Sequence, residues 1–207
     1  MTDDLMPPGT VTIASLSRAR RIKRRHTAVV SFENPEQSHN KRLQFHRQPT
    51  PDHIRLVFDD LDSPGDGVAP TRSDVEAVIE FGRRHVGGSL LIHCNAGVAR
   101  STAAGFVLLA DRMGEGREKE ALAETLRLRP CAVPNHMIVA FGDAILGRSG
   151  AMVAAVAELD AGSAWCRWRR EANLRAMRGE RPLMLPAGVK APEDEDVSAM
   201  VEGLRFR

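Results

Sequence analysis

Residues 89–101 read SLLIHCNAGVARS, and the fold turns on this stretch. Its first part, Ser89 to Cys94, is a short apolar run of the kind that forms a buried strand. Its end opens into Ser101 to Met113, where Ala103, Ala104, Phe106, Val107, Leu108, Leu109 and Ala110 leave almost no polar face. Such a segment reads as a buried central helix. Working outward, Val11 to Ile13, His26 to Phe32 and Ile54 to Phe58 are further apolar runs bounded by polar, Gly or Pro residues, and they read as strands. Helical patterns cover Thr71 to His85, with Val75, Val78, Ile79 and Gly82 on one face, Arg117 to Leu128, and Asn135 to Leu146. Strands alternating with helices and followed by a run of helices indicate an α/β domain. Ser73 and Asn135 stand where helix N-caps are expected, and Pro134 fixes the entry to the last of these helices.

Beyond Gly150 the pattern changes. Ala151 to Leu159 reads as one more short helix, Ser163 to Arg178 as an Arg-rich helix carrying Trp165 and Trp168, and residues 186–197 as a flexible acidic tail. The expected organisation is a main domain over residues 1–150 and a helical extension with a tail over 151–207. For 207 residues, a 150-residue domain leaves about 50 to explain.

Composition narrows the classes of function. With 43% hydrophobic and 27% charged residues, the chain can bury an ordinary core. No apolar run reaches the roughly 20 residues of a membrane span. The opening MTDDLMPPGT carries acids and prolines where a secretory signal has a basic and then an apolar stretch, so a cytoplasmic location is expected. Three cysteines, Cys94, Cys131 and Cys166, are too few for a disulfide framework, and none forms a C-x-x-C pair that would hold zinc. A net charge of +2 gives no reason to expect nucleic acid or a membrane as partner. The bases are mostly arginine, 25 of 29, which suits carboxylate and phosphate recognition.

The chemistry lies in residues 93–101. A tight loop between a strand and a helix gathers backbone N–H groups around one point, and the helix N-terminus adds the positive end of its dipole. The amides of Asn95, Ala96, Gly97, Val98, Ala99 and Arg100 are the expected anion cradle. Gly97 gives the loop backbone angles closed to other residues, and Arg100 can grip two phosphate oxygens with its planar fork. In that setting the Cys94 thiol is expected to ionise well below the usual value of about 8.5 and act as a nucleophile. Ser101 can donate its hydroxyl to the sulfur when it leaves. His93 faces away from Cys94 if the strand alternates, and reads as a hydrogen-bonding support of the loop.

HCNAGVARS resembles the H-C-x-x-G-x-x-R-[ST] motif of the cysteine-based protein tyrosine phosphatases, and the short chain is similar to their dual-specificity branch and to small bacterial phosphatases of this layout. Arg129-Pro130 followed by Pro134-Asn135 resembles the R-P-x-x-x-P-N stretch that follows in many of them. The resemblance covers roughly residues 10–150. It implies a central, mostly parallel sheet of four or five strands with helices on both faces, no metal or other cofactor, and a phosphorylated protein as substrate. It also implies a general acid, an aspartate on a loop roughly 30 to 40 residues before the cysteine. That window, RLVFDDLDSPGDGVAP from Arg55 to Pro70, offers Asp59, Asp60, Asp62 and Asp66. Asp60 falls just past the strand end and is the expected acid, with Asp62 as the alternative and Asp59 as an organiser of the loop. For Asn135 two roles stand side by side, a helix cap and an orderer of the site loops.

Other features have plainer readings. Cys131 and Cys166 read as small core residues, although a protective disulfide between Cys131 and Cys94 is also open. RARRIKRR, residues 18–25, reads as a solvated helix face, and WCRWRRE, residues 165–171, as a segment that packs its tryptophans on the main domain. The loop's variable positions, Asn95, Ala96, Val98 and Ala99, carry no charge, which disfavours a polyphosphorylated phosphoinositide and favours phosphotyrosine, with or without phosphoserine and phosphothreonine. Two rivals stand beside a phosphatase. One is a phosphoresidue-binding module without catalysis, and the other is a sulfurtransferase, whose persulfide chemistry gives no reason for the Gly97-x-x-Arg100 spacing.

Overall fold

The computed structural model describes residues 5–181 and 183–192. Of the acidic tail read at 186–197, residues 193–197 lie outside that range. Four strands, β1 (Val11–Ser15), β2 (Ala28–Glu33), β3 (Asp52–Val57) and β4 (Leu90–Cys94), pair in the order β1-β4-β2-β3, every pairing parallel. Parallel strands need crossovers: α1 (Leu16–Ile22) lies in the one from β1 to β2, residues 34–51 form the one from β2 to β3, and α2 (Arg72–Arg84) lies in the one from β3 to β4, after which α3 (Arg100–Met113), α4 (Glu118–Leu128), α5 (His136–Leu146), α6 (Ala151–Gly162) and α7 (Ala164–Met177) follow in a run. The α/β sheet with helices on both faces is therefore what the chain forms.

Strand alternation divides the residues between the two faces. On one side Val11, Ile13, Val30, Phe32, Leu90, Ile92 and Cys94 join the main core with α2 to α6. On the other, Ala14, Val29 and Leu91 meet Leu16 and Ala19 of α1 and Leu43 of the β2–β3 connection. The period of two that puts Cys94 on the α3 side puts His93 on the α1 side.

In α3 every residue from Arg100 to Ala110 is buried, as its lack of a polar face requires. Gly105 lets it approach the sheet closely, since a Cβ there would lie 2.4 Å from Ile13 Cδ1. The first turn of α2 differs from expectation. Its N-cap is Thr71, not Ser73: Thr71 Oγ1 accepts from the Asp74 amide while the Asp74 carboxylate accepts from the Thr71 amide. This reciprocal pair satisfies two end donors at once, which a single serine inside the helix cannot do. Asn135 caps α5 as expected, accepting from the Ile138 amide at 3.1 Å, and Ser163 caps α7.

The two helices beyond residue 150 rest on the same body. Met152, Ala155 and Val156 of α6 enter the main core. Trp165, Cys166 and Trp168 of α7 form a second cluster with Val98, Cys131 and Val133, and Trp165 Nε1 donates to the Cys131 carbonyl at 3.2 Å. No helix among the described residues is long and apolar enough to cross a membrane.

Candidate active site

β4 lies between β1 and β2, so its carboxyl end opens at the middle of the sheet, where parallel α/β proteins place their ligands. Cys94 is its last residue and is 3% exposed. Two groups meet the sulfur: the Gly97 amide donates to it at 3.2 Å, and the Ser101 hydroxyl lies 3.2 Å away. The Ser101 hydroxyl can donate as well as accept, so negative charge on Sγ is stabilised from both sides.

The loop's carbonyls explain why its amides face inward. The Asn95 carbonyl accepts from the Leu16 amide at 3.0 Å, Ala96 from Arg129 Nη2 at 3.1 Å, Gly97 from Arg129 Nε at 2.9 Å, and Val98 from the Val133 amide at 2.9 Å. The Ala99 carbonyl accepts from Thr102 Oγ1 at 2.9 Å. With five successive C=O groups tied outward, the N–H groups turn toward the concave side, where the Gly97 amide meets the sulfur. Gly97 is required twice over. Its φ is +69°, and a Cβ would lie 2.5 Å from the Ser15 nitrogen and 2.6 Å from the Ala14 carbonyl carbon, both backbone atoms that cannot yield.

Arg129 sits fully buried beneath the loop, at 1% exposure. The R-P-x-x-x-P-N resemblance pointed at this residue, but sequence gave it no role, because nothing in a sequence says that an arginine will be buried under another loop's carbonyls.

Arg100, 3% exposed, joins three strand ends. Its Nη1 donates to the Phe58 carbonyl after β3 at 2.6 Å and its Nη2 to Asn34 Oδ1 after β2 at 2.7 Å. Its Nε is buried with no hydrogen-bond partner among the described residues. A buried orphan of this kind costs about 1–3 kcal/mol unless a ligand satisfies it. Asn34, which orients the guanidinium, was not among the sequence candidates; it follows a strand without any motif around it.

His93 supports the loop from the opposite face. Its Nε2 lies 2.6 Å from Ser31 Oγ, whose other neighbour is His53 Nε2 at 2.7 Å, and its Nδ1 lies 3.4 Å from the Cys94 carbonyl. Burial pushes His93 down to about 4, and burial followed by the nearby Arg55 does the same to His53. Both rings are therefore neutral at pH 7, and one serine proton suffices to link them. If His93 Nδ1–H faces the Cys94 carbonyl, His93 Nε2 accepts from Ser31 and Ser31 accepts from His53.

The aspartates separate by partner. Asp59 closes its own loop, its amide donating to the Val68 carbonyl at 2.7 Å and its Oδ2 accepting from the Val68 amide at 3.0 Å. Asp62 Oδ1 accepts from the His136 amide at 2.9 Å and from Arg170 Nη1 at 3.1 Å. Asp60 Oδ1 accepts from Asn135 Nδ2 at 3.1 Å, and the same Nδ2 donates to the Leu61 carbonyl at 2.8 Å. Asn135 therefore fills both roles that its sequence left open: its Oδ1 caps α5 and its Nδ2 holds the aspartate loop. Asp66 stands exposed at the loop tip.

No family model and no curated protein sequence matches the chain. Solved structures do. The crystal structure of Tk-PTP in its active form is 21% identical, covering 72% of this chain and 99% of that one, with a TM-score of 0.49. PTPMT1 in complex with PI(5)P is 16% identical, covering 68% and 95%, with a TM-score of 0.49. The human tyrosine phosphatase-like serine/threonine/tyrosine-interacting protein is 20% identical, covering 67% and 88%, with a TM-score of 0.48. Cys131 and Cys166, the two remaining cysteines, lie in the cluster behind Val98, and no disulfide joins any of the three.

Proposed function

We propose that this chain is a cysteine-dependent phosphatase that hydrolyses phosphomonoesters through a phosphocysteine at Cys94. The observation that carries the reading is the outward locking of five loop carbonyls around a buried sulfur that accepts from the Gly97 amide and lies against the Ser101 hydroxyl. A structural cysteine has no use for such a cradle.

In the first step the Cys94 thiolate attacks phosphorus, the P–O bond to the leaving group breaks, and the leaving oxygen takes a proton from Asp60. In the second, Asp60 takes a proton from water, the water oxygen attacks phosphorus, and the sulfur departs as a thiolate that accepts the Ser101 hydroxyl proton in a hydrogen bond. The loop amides and Arg100, whose buried Nε lacks a partner, carry the charge spread over the equatorial oxygens. Asp60 is favoured over Asp62 because Asp62 is committed to Arg170 and the start of α5, whereas Asp60 has one hydrogen bond to its carboxylate. Cytoplasmic reducing conditions would keep Cys94 a thiol.

Phosphotyrosine proteins, alone or with phosphoserine and phosphothreonine proteins, are the substrates this uncharged loop rim suits. A second reading, a substrate with an additional phosphate, draws on Arg20 and Lys41, which line a hollow beside Asn95. The test is turnover of p-nitrophenyl phosphate by the full chain and by Cys94→Ser. Hydrolysis by the former and none by the latter is expected. Saturable binding without turnover by the natural chain would make it a phosphoresidue-binding module, and a thiosulfate assay separates off the sulfurtransferase. Phosphotyrosine peptide and inositol bisphosphate offered side by side then decide the substrate class.

A further inference from the structure

The aspartate loop, residues 59–68, has little core of its own. Residues 63–68 are exposed, and within the loop Leu61 is the buried apolar side chain. Its position is set by hydrogen bonds from other elements, and two of these come from α7. Asn173 Nδ2 donates to the backbone carbonyl of Asp60 at 2.7 Å. Arg170 reaches three segments at once, with Nη1 on Asp62 Oδ1 at 3.1 Å, Nη2 on the Pro134 carbonyl at 3.1 Å and Nε on Asp160 Oδ2 at 2.7 Å. α7 itself is anchored through Trp165, Cys166 and Trp168, which form one buried cluster with Cys131, Val133 and Val98 of the phosphate loop. One rigid helix therefore touches both halves of the candidate site, although it lies outside the stretch that resembles a phosphatase.

We propose that α7 is the element that sets the general acid, and that Asn173 is a positioning residue acting through the Asp60 carbonyl. This rests on the assignment of Asp60 as acid. Asn135 orients the Asp60 side chain while Asn173 fixes its backbone, so the carboxyl is defined from both ends. Proton transfer needs the acid within hydrogen-bond reach of the leaving oxygen, and a misplacement of about 1 Å can cost on the order of a hundredfold. Arg170 does a different task, holding α7 to the loop and to α6 by charge.

A leaving-group comparison tests the proposal on the full chain. Phenyl phosphate needs its leaving oxygen protonated, and p-nitrophenyl phosphate, whose phenolate is stable, depends on the acid far less. Asn173→Ala is expected to lower kcat/KM on phenyl phosphate about tenfold and to leave kcat/KM on p-nitrophenyl phosphate close to that of the natural chain, since kcat/KM reports transfer to Cys94 and not the phosphocysteine hydrolysis that both substrates share. In an Asp60→Asn background it should add nothing. Alanine is the better helix former, so α7 should persist. Asn173→Asp, of the same shape but without the donor, should reproduce the loss. Equal losses on both substrates, no loss on either, or a full additional loss in the Asp60→Asn background would each overturn the proposal. No turnover by the natural chain, or turnover surviving Cys94→Ser, overturns the phosphatase reading itself and is recognisable as such.

Discussion

The phosphate loop and the aspartate loop follow the carboxyl ends of β4 and β3 in one parallel sheet and are built on opposite principles. Residues 97–101 are buried, and backbone hydrogen bonds, a positive-φ glycine and a buried arginine fix them. Residues 63–68 are exposed, and side chains from α5 and α7 determine where the loop lies. The cradle for the transferring group must be ready before an anion arrives, since preorganised donors stabilise charge without reorganising at the moment of reaction. The acid meets leaving groups of different sizes and can be carried by a loop that remote contacts adjust.

If that contrast is right, a change in the phosphate loop should fail on every substrate, and loss of the acid carried by the aspartate loop only on demanding ones. Gly97→Ala should have the largest effect. The new methyl would meet the backbone of Ala14 and Ser15 at a φ of +69°, so the loop cannot keep its shape. Loss of turnover of more than about a thousandfold on phenyl and p-nitrophenyl phosphate alike is expected, with roughly 3 kcal/mol of stability lost in denaturant unfolding. Retained activity would mean that the loop adopts a different path.

Arg129→Met comes next. It keeps the bulk and removes the donors to the Ala96 and Gly97 carbonyls, leaving two buried acceptors without them. The expected cost is about 3–5 kcal/mol, and kcat should fall by the same factor for good and poor leaving groups because the acid is untouched. A loss confined to phenyl phosphate would place Arg129 with the aspartate loop instead.

Beneath the cradle, the neutral His93 gives a pH signature. Its folded value near 4 lies below the ordinary 6.5, so the unfolded chain binds the proton more readily. This contribution to stability is fully present above pH 6.5, is lost as pH falls toward 4, and amounts to about 3 kcal/mol. Urea unfolding at pH 7 and pH 4.5 reads it together with the same-signed contribution of His53, and the His93 ring resonances, which report His93 alone, should stay unchanged in the folded protein until below pH 5. Titration near 6.5 would show that the ring is hydrated and that the Ser31 link is broken.

How much of this the sequence disclosed follows the same division. The strands around Cys94, the buried helix after it and the need for glycine at 97 were legible because their causes are local: periodicity, spacing and the needs of one turn; the ties of Arg100 to Phe58 and Asn34 were not. Ser73 misled because reciprocal capping by Thr71 and Asp74 wins over a single hydroxyl two positions on. Arg129, Asn34, Arg170 and Asn173 were not legible. Each acts on a residue 32 to 113 positions away, and only the folded chain brings those together. The arginine excess was likewise unreadable one residue at a time, since the same side chain serves as a candidate phosphate grip at Arg100, a loop support at Arg129 and a helix clasp at Arg170.

The smallest effect is the one that best separates the two neighbouring aspartates. Asp62 accepts from the His136 amide at the start of α5 and from Arg170, so Asp62→Asn weakens a helix end and an ion pair that is partly exposed. That costs about 1 kcal/mol and should reduce kcat only a few-fold, to a similar degree on both aryl phosphates, as the loop loosens. Asp60→Asn removes the proton donor while an amide can still accept from Asn135. Its loss in kcat/KM, which reports transfer to Cys94 alone, should approach a hundredfold on phenyl phosphate and be slight on p-nitrophenyl phosphate. If the two variants exchange these behaviours, Asp62 is the acid, and its ion pair with Arg170 must open during turnover for the proton to be delivered.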